Sequence, residues 1–384
     1  MRWYRHLLFE EYRIPEEAVG LYRLLFVAVS LLLVGAPSVY WVSEIPEYLY
    51  TPQRFSIVRL LGYRMPGPAA LLTLDLSILL AYLLLLFGVK TRWSSLGLGL
   101  LLLLSFSIKF TIGKIGHGIM LNIIPLVMAF SAWGRAFVLG ARPAGRPNYT
   151  GFAIFVLAWL FSFGMFTSGM SKLLGGWHRP DFFGACYHFN YRYYTWLDKQ
   201  SLLAPVFADV KSIVFWKAMD YGTLLFELGF MVAVFKKRLF QLFCVVGILF
   251  HVATLLIFNI AYINNLLVYL LFIRWRPVLW YLEEKRWLPK LRRSITLKNL
   301  LLVAAFSLIL YVLMVLVLDV HLSRDKLISP LSLLAYCTEY NFREIRGVLL
   351  LVSAPLVLLW TLYISRRYDR LVRAEKRQIT EGEG

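Results

Sequence analysis

The 384-residue chain is 59% hydrophobic and 16% charged, more apolar than soluble globular domains usually are. Its 41 Lys and Arg outnumber 22 Asp and Glu, for a formal charge of +19. The cations collect in short stretches between apolar windows, which points to membrane-flanking loops and away from a nucleic-acid partner. The three cysteines, Cys186, Cys244 and Cys337, have no paired spacing, which excludes a CxxC redox or zinc motif and leaves a Cys186–Cys337 disulfide open.

The amphipathic, charged start MRWYRHLLFEEYRIPEE carries no cleavable signal sequence, and the first span is expected to serve as its own signal. Windows longer than the roughly 18 apolar residues that mark a spanning helix follow. They predict about ten spans, at 20–43, 68–89, 94–112, 117–135, 151–171, 213–235, 239–258, 260–274, 297–319 and 346–365. The seventh and eighth also read as one helix broken around Asn259-Ile260-Ala261, which would leave nine. Backbone amides in lipid must be paired within the segment, and the alternating strands of about ten residues that mark a membrane barrel are missing. The expected fold is therefore all-α, a polytopic transmembrane helix bundle. It divides into a transmembrane domain over 1–275, added helices over 276–365 with an outer loop at 320–345, and a basic tail at 366–384.

Orientation follows from the loops. Lys236, Lys237 and Arg238 crowd one of them, further cations run from Arg274 to Arg293, and the tail adds Arg366 to Arg377. Loops on the opposite side carry few cations, so both termini are expected in the cytoplasm of a multi-pass plasma (inner) membrane protein. That topology brings several ionisable residues to one depth on the outer side. Lys109 and Lys172 end spans three and five, His117 opens span four, and Asp75, Asp220 and His251 lie in outer halves, with Glu227 nearer the middle of span six. Charges in spans cost a few kcal/mol or more and usually face a bundle interior or a wet cavity. The loop 172–212, dense in aromatics at CYHFNYRYYTW, would cover such a cavity.

Lys172 has two readings. It is a cation snorkelling to the membrane surface, or a desolvated amine acting as a general base beside His117 and His251. Ser168, one turn earlier, would make a Ser–Lys nucleophile pair, though not at SxxK spacing. Glu227 reads as half of a structural buried pair, with Arg23 as partner, and Asp75 and Asp220 read as partners for Lys109 or Lys172. No HxxxH, HxxE or paired Glu-x-x-His spacing supports a metal.

Four stretches then resemble a known family. GMFTSGMSKLLGGW, LLFELGFMVAVFKKRLFQLFCVVGILFHVATLLIFNIAYINNLLVYLLF, GHGIMLNIIPLVMAF and GLYRLLF, in their order over residues 15 to 275, are similar to the HTTM (horizontally transferred transmembrane) domain family and its vitamin K-dependent γ-carboxylases. The resemblance implies a pocket for an isoprenoid quinol of the vitamin K or menaquinone type, opening outward. Lys172 would be its catalytic base, with His117 and His251 in the same pocket and Trp177 in the same signature. The residues placed at that depth by the topology, Lys109, Asp75 and Asp220, would tune the lysine, and with Trp177 and Asn259 they complete the expected cofactor-binding set. The resemblance further implies quinol-dependent carboxylase or epoxidase chemistry, with a secreted or membrane peptide as partner; the chain's departures from the family make a small or membrane-bound substrate the expectation. Three departures stand out. Ser171 precedes Lys172 where the carboxylases have a second lysine, Gly116 stands before His117 where they have polar residues, and residues after 275 are expected to form further spans and a loop instead of the large C-terminal substrate-holding domain. The alternatives are a non-catalytic factor for maturation or export of a secreted peptide, and a transporter or lipid-binding bundle.

Overall fold

The computed structural model describes residues 2–34, 36–52, 56–60, 64–111, 118–140, 148–195, 203–258, 260, 262–317, 327–328 and 342–382. His117, Asn259 and Cys337 lie outside the described residues. The architecture is all-α: α1 (Glu16–Val29), α2 (Pro68–Leu86), α3 (Thr91–Lys109), α4 (Ile119–Met128), α5 (Thr150–Leu174), α6 (Gly184–Asn190), α7 (Ile213–Ala233), α8 (Lys237–Phe258), α9 (Ile263–Leu271), α10 (Trp275–Glu284), α11 (Trp287–Ser294), α12 (Leu297–Tyr311) and α13 (Phe342–Gly382). Among the described residues, one two-residue antiparallel ladder, Ala36–Pro37 with Leu327–Ile328, accompanies them.

Local chemistry sets several boundaries. Pro68 occupies the first turn of α2, where its missing N–H costs nothing. Ser212 and Thr296 cap α7 and α12, their hydroxyls accepting from Phe215 N and Asn299 N at 3.2 Å. Among the described residues, five helices are long and apolar enough to cross a membrane: Pro68–Leu86, Thr91–Lys109, Thr150–Leu174, Lys237–Phe258 and Leu297–Met314.

Other expected spans take different forms. The window 117–135 yields only the ten-residue α4, which holds Pro125 and gives way to turns; at 1.5 Å per residue it reaches about 15 Å, half a hydrocarbon core. The window 260–274 yields the nine-residue α9. The window 20–43 forms α1 and a π-helical turn, Ser30–Val34, before extended and 3₁₀ segments take over. Apolar content alone does not set helix length; prolines and tertiary partners do.

Contacts divide the chain into two units, residues 1–13 with 154–272, and 14–153 with 273–384. The first is built on aromatic packing. Phe161 of α5 meets Phe230 of α7 at 5.3 Å and Tyr269 of α9 at 5.4 Å, Phe226 meets Phe250 of α8 at 4.8 Å, and Tyr12 donates to Val234 O at 2.7 Å. In the second unit the fully buried Arg23 donates to Trp133 O at 2.7 Å and to Phe137 O, and Arg274 forks onto Asp369 with two bonds of 2.9 Å.

That fork sets a pH dependence. Hydrogen bonding from Arg274 holds the Asp369 carboxyl below its ordinary 3.8. A depressed carboxylate contributes stability that is present above 3.8 and lost as the pH falls through the lower folded value. Both side chains are more than a third exposed, 51% and 37%, so the contribution stays within about 0–1 kcal/mol. Asp369→Asn is predicted to lower the unfolding midpoint in detergent at neutral pH by at most about 3 °C, with the difference closing as the pH falls below that of Asp369 ionisation.

Candidate functional site

Helix α5 sets Ser168 and Lys172 one turn apart on one face. Helix α7 lays Glu227 against them, and Gly169 makes the approach close. A Cβ on Gly169 would stand 2.9 Å from the Leu228 side chain and 3.1 Å from Glu227 Cβ. Lys172 Nζ donates to Glu227 Oε2 at 2.6 Å, to Glu227 Oε1 at 2.8 Å and to Ser168 Oγ at 2.8 Å. Ser168 Oγ donates to Glu227 Oε1 at 3.3 Å, closing the triangle. The Glu227 side chain is 7% exposed and that of Lys172 25%. The three ammonium donors thus have acceptors, and the carboxylate has exchanged water for protein donors.

Trp177 stands over this cluster, with Lys172 Nζ 5.7 Å from its ring, within cation–π range. Its seat is Gly184, where a Cβ would fall 2.2 Å from the indole. The turn that carries Trp177 leaves α5 through Gly176, at φ +89°. Lys217 of α7 secures the turn from within, donating to the carbonyls of Trp177 at 2.9 Å, Arg179 at 2.7 Å and Phe182 at 2.5 Å. The same ammonium reaches Asp220 Oδ2 at 3.0 Å. Asp220, fully buried, accepts from Gly184 N at 3.2 Å and Ala185 N at 2.8 Å, and so caps α6 from another helix. In the exposed part of this loop, the hydrogen bond from Arg179 holds the Asp181 carboxyl below its ordinary value. Burial pushes the free Cys186 thiol up, away from the thiolate.

His251 belongs to a neighbouring set in the same unit. Its Nε2 meets Tyr269 Oη at 2.9 Å and Asn265 Nδ2 at 3.1 Å, and its ring lies 4.7 Å from that of Tyr262. Gly247 opens the space for the phenol, since a Cβ there would stand 2.5 Å from Tyr269 Oη.

The sequence-predicted residues therefore separate. Lys172, Trp177, Asp220 and His251 share one unit, with Glu227 and Ser168. Asp75 and Lys109 belong to the other. Three expected pairings are corrected. Glu227 pairs with Lys172, while Arg23 is engaged by backbone carbonyls of its own unit. Asp220 pairs with Lys217. Asp75 accepts from Ser38 Oγ at 2.6 Å, Val39 N at 2.9 Å, Tyr40 N at 3.3 Å and Tyr311 Oη at 3.0 Å, and so staples an irregular segment to α2 and α12. Shared depth does not fix pairing, because it leaves open which helix faces meet. Lys217 was missed although its spacing of three from Asp220 was readable. Tyr269 and Asn265 left no local signal, because they reach His251 from a separate helix.

No protein-family model, curated protein or solved structure matches this chain.

Asp220→Ala removes the acceptor of two amides and the counter-charge of Lys217. It is predicted to destabilise the fold by about 3–5 kcal/mol, the cost of breaking a buried pair. Limited proteolysis should show cleavage after Arg179 at protease levels that leave the parent protein intact.

Proposed function

We propose that the chain is a multi-pass integral membrane protein with both termini cytoplasmic, and that its Lys172–Glu227–Ser168 cluster moves protons at the outer edge of the bilayer. The observation that supports this reading is the 2.6 Å contact between Lys172 Nζ and a Glu227 carboxylate only 7% exposed, at the end of the 25-residue apolar α5. Intramembrane charges face a bundle interior, pair with one another, and mark proton relays and substrate paths.

The cluster offers a proton acceptor and a compensating cation in one place. A hydroxyl that approaches Ser168 and Glu227 can pass its proton to Glu227 Oε2, while the Lys172 ammonium offsets the charge left on the donor oxygen. With the shared proton on Glu227, the amine takes the accepting role instead. Ser168 Oγ, bonded to both groups, positions the incoming hydroxyl. Trp177 supplies a flat aromatic wall beside Lys172. His251, its Nε2 engaged by Tyr269 and Asn265, belongs to the same unit.

This donor set fits the hydroxylated head of an isoprenoid quinol, which needs a base, a cation and an aromatic face where an apolar helix ends. Such a quinol supplies an acidic hydroxyl and reducing equivalents, as the resemblance to the γ-carboxylase-like HTTM family implies. The substrate of the coupled chemistry is then small, lipid-borne or a membrane peptide. A second reading, a non-catalytic factor in peptide maturation, is favoured by the full engagement of the Lys172 donors, which is also what a structural pair requires.

Purified protein supplied with a reduced vitamin K or menaquinol under air is predicted to accelerate its oxidation. Lys172→Ala and Glu227→Gln should each lower the rate by about 10²–10⁴-fold with helix content unchanged, and Ser168→Ala by less. Equal rates in parent and variants, with only the unfolding midpoint lowered, would assign the pair to structure and favour the second reading.

A further inference from the structure

A cavity apart from the Lys172 cluster lies within the second unit, where α2 hands over to α3. The chain turns there through Gly88, at φ +73°, and Lys90, at φ +41°. A cavity of about 750 Å³ opens between this turn, the segment 129–139 and Tyr149, within the range of about 300–1,000 Å³ usual for small-ligand sites. Its charged lining is wholly basic among the described residues: Lys90 and Arg92 from the turn, and Arg135 from the facing segment.

The three cations are held differently. Arg135 is tied to Glu16, which also accepts from Asn148 Nδ2 at 3.0 Å. The Arg92 guanidinium lies 5.1 Å over the Phe130 ring, and the Lys90 side chain is exposed. The first turn of α3 contains no acidic residue and its N-cap makes no side-chain bond, so the positive end of the helix adds to the same field. Cations at a span end are commonly solvated and snorkelling. Here they come from two separate segments and line one concavity.

The position selects the kind of anion. The turn joins two helices long and apolar enough to cross a membrane, which puts it at headgroup level. Trp93, Phe130 and Tyr149, all on the cavity wall, are 68%, 48% and 47% exposed, as aromatics of a membrane interface are. We propose that this cavity binds a phosphate group, that of an anionic phospholipid, with Lys90 and Arg92 on the phosphate and the aromatic side chains along the glycerol and upper acyl region.

The test uses the full chain in a neutral detergent and reads the unfolding midpoint against added lipid. Phosphatidylglycerol is expected to raise the midpoint saturably, phosphatidylcholine to leave it unchanged, and the double variant Lys90→Gln/Arg92→Gln to weaken the apparent affinity at least about tenfold, as loss of two charge-assisted contacts requires. Arg92→Lys should keep most of the effect. Arg92→Ala, at an exposed side chain, is read in the same way should the double variant not fold. A Lys90- and Arg92-dependent shift with inorganic phosphate and none with phosphatidylglycerol would keep phosphate recognition and move its source to a soluble phosphate ester. No shift with either, or equal shifts in parent and variants, overturns the proposal.

Discussion

Lys172 Nζ and Glu227 Oε2 stand 2.6 Å apart between two apolar helices, and much of the first unit is arranged so that they can. Removing two ions from water costs several kcal/mol each, and the cost is recovered only where their geometry is close and their remaining donors are met. Gly169 lets the helices approach, Ser168 takes the third ammonium hydrogen, and Glu227 accepts from both. Small residues at helix contacts and polar groups that answer one another are what hold helices together where lipid removes the hydrophobic incentive. The same constraint governs the other buried charges. Asp220 has two amides and an ammonium, and Asp75 two hydroxyls and two amides. Arg23 meets the constraint in part, with two carbonyls as acceptors and its buried Nε unmatched among the described residues.

Position and support are separable in this site. Lys172, Glu227 and Ser168 carry the polar atoms that a substrate oxygen would meet. Lys217 and Asp220 lie about two to three turns along α7 from Glu227 and hold the turn that brings Trp177 over the lysine. One helix thus supplies both the carboxylate of the cluster and the clamp on its cover. The functional reading and the scaffold are coupled through α7, so a disturbance at Asp220 should reach Lys172 through Trp177.

The helical class and the longest apolar windows could be read directly, because a run of apolar residues at spanning length has few other solutions. Windows 68–89 and 94–112 differ from α2 and α3 by a few terminal residues only. Windows 117–135 and 260–274 were overestimated, since hydropathy is blind to where Pro125 and the break near Tyr262 interrupt the ladder. Lys172 stood out as an ion at an apolar helix end, and Ser168 followed from helical spacing. Glu227 was visible as an isolated acid, but its partner was not. Choosing between Arg23 and Lys172 requires knowing that α5 and α7 meet at Gly169, a long-range fact with no local signature.

A double-mutant cycle on Lys172 and Glu227 tests the central claim most directly. Unfolding free energies would be measured in one detergent for the parent, Lys172→Met, Glu227→Leu and the combined variant. A pair that answers its own desolvation predicts a cost of about 3–5 kcal/mol for Glu227→Leu alone and substantial recovery when Lys172→Met is added, with a coupling energy above about 2 kcal/mol. Additive single effects, within about 0.5 kcal/mol, would show that the two charges do not depend on each other and would contradict the account.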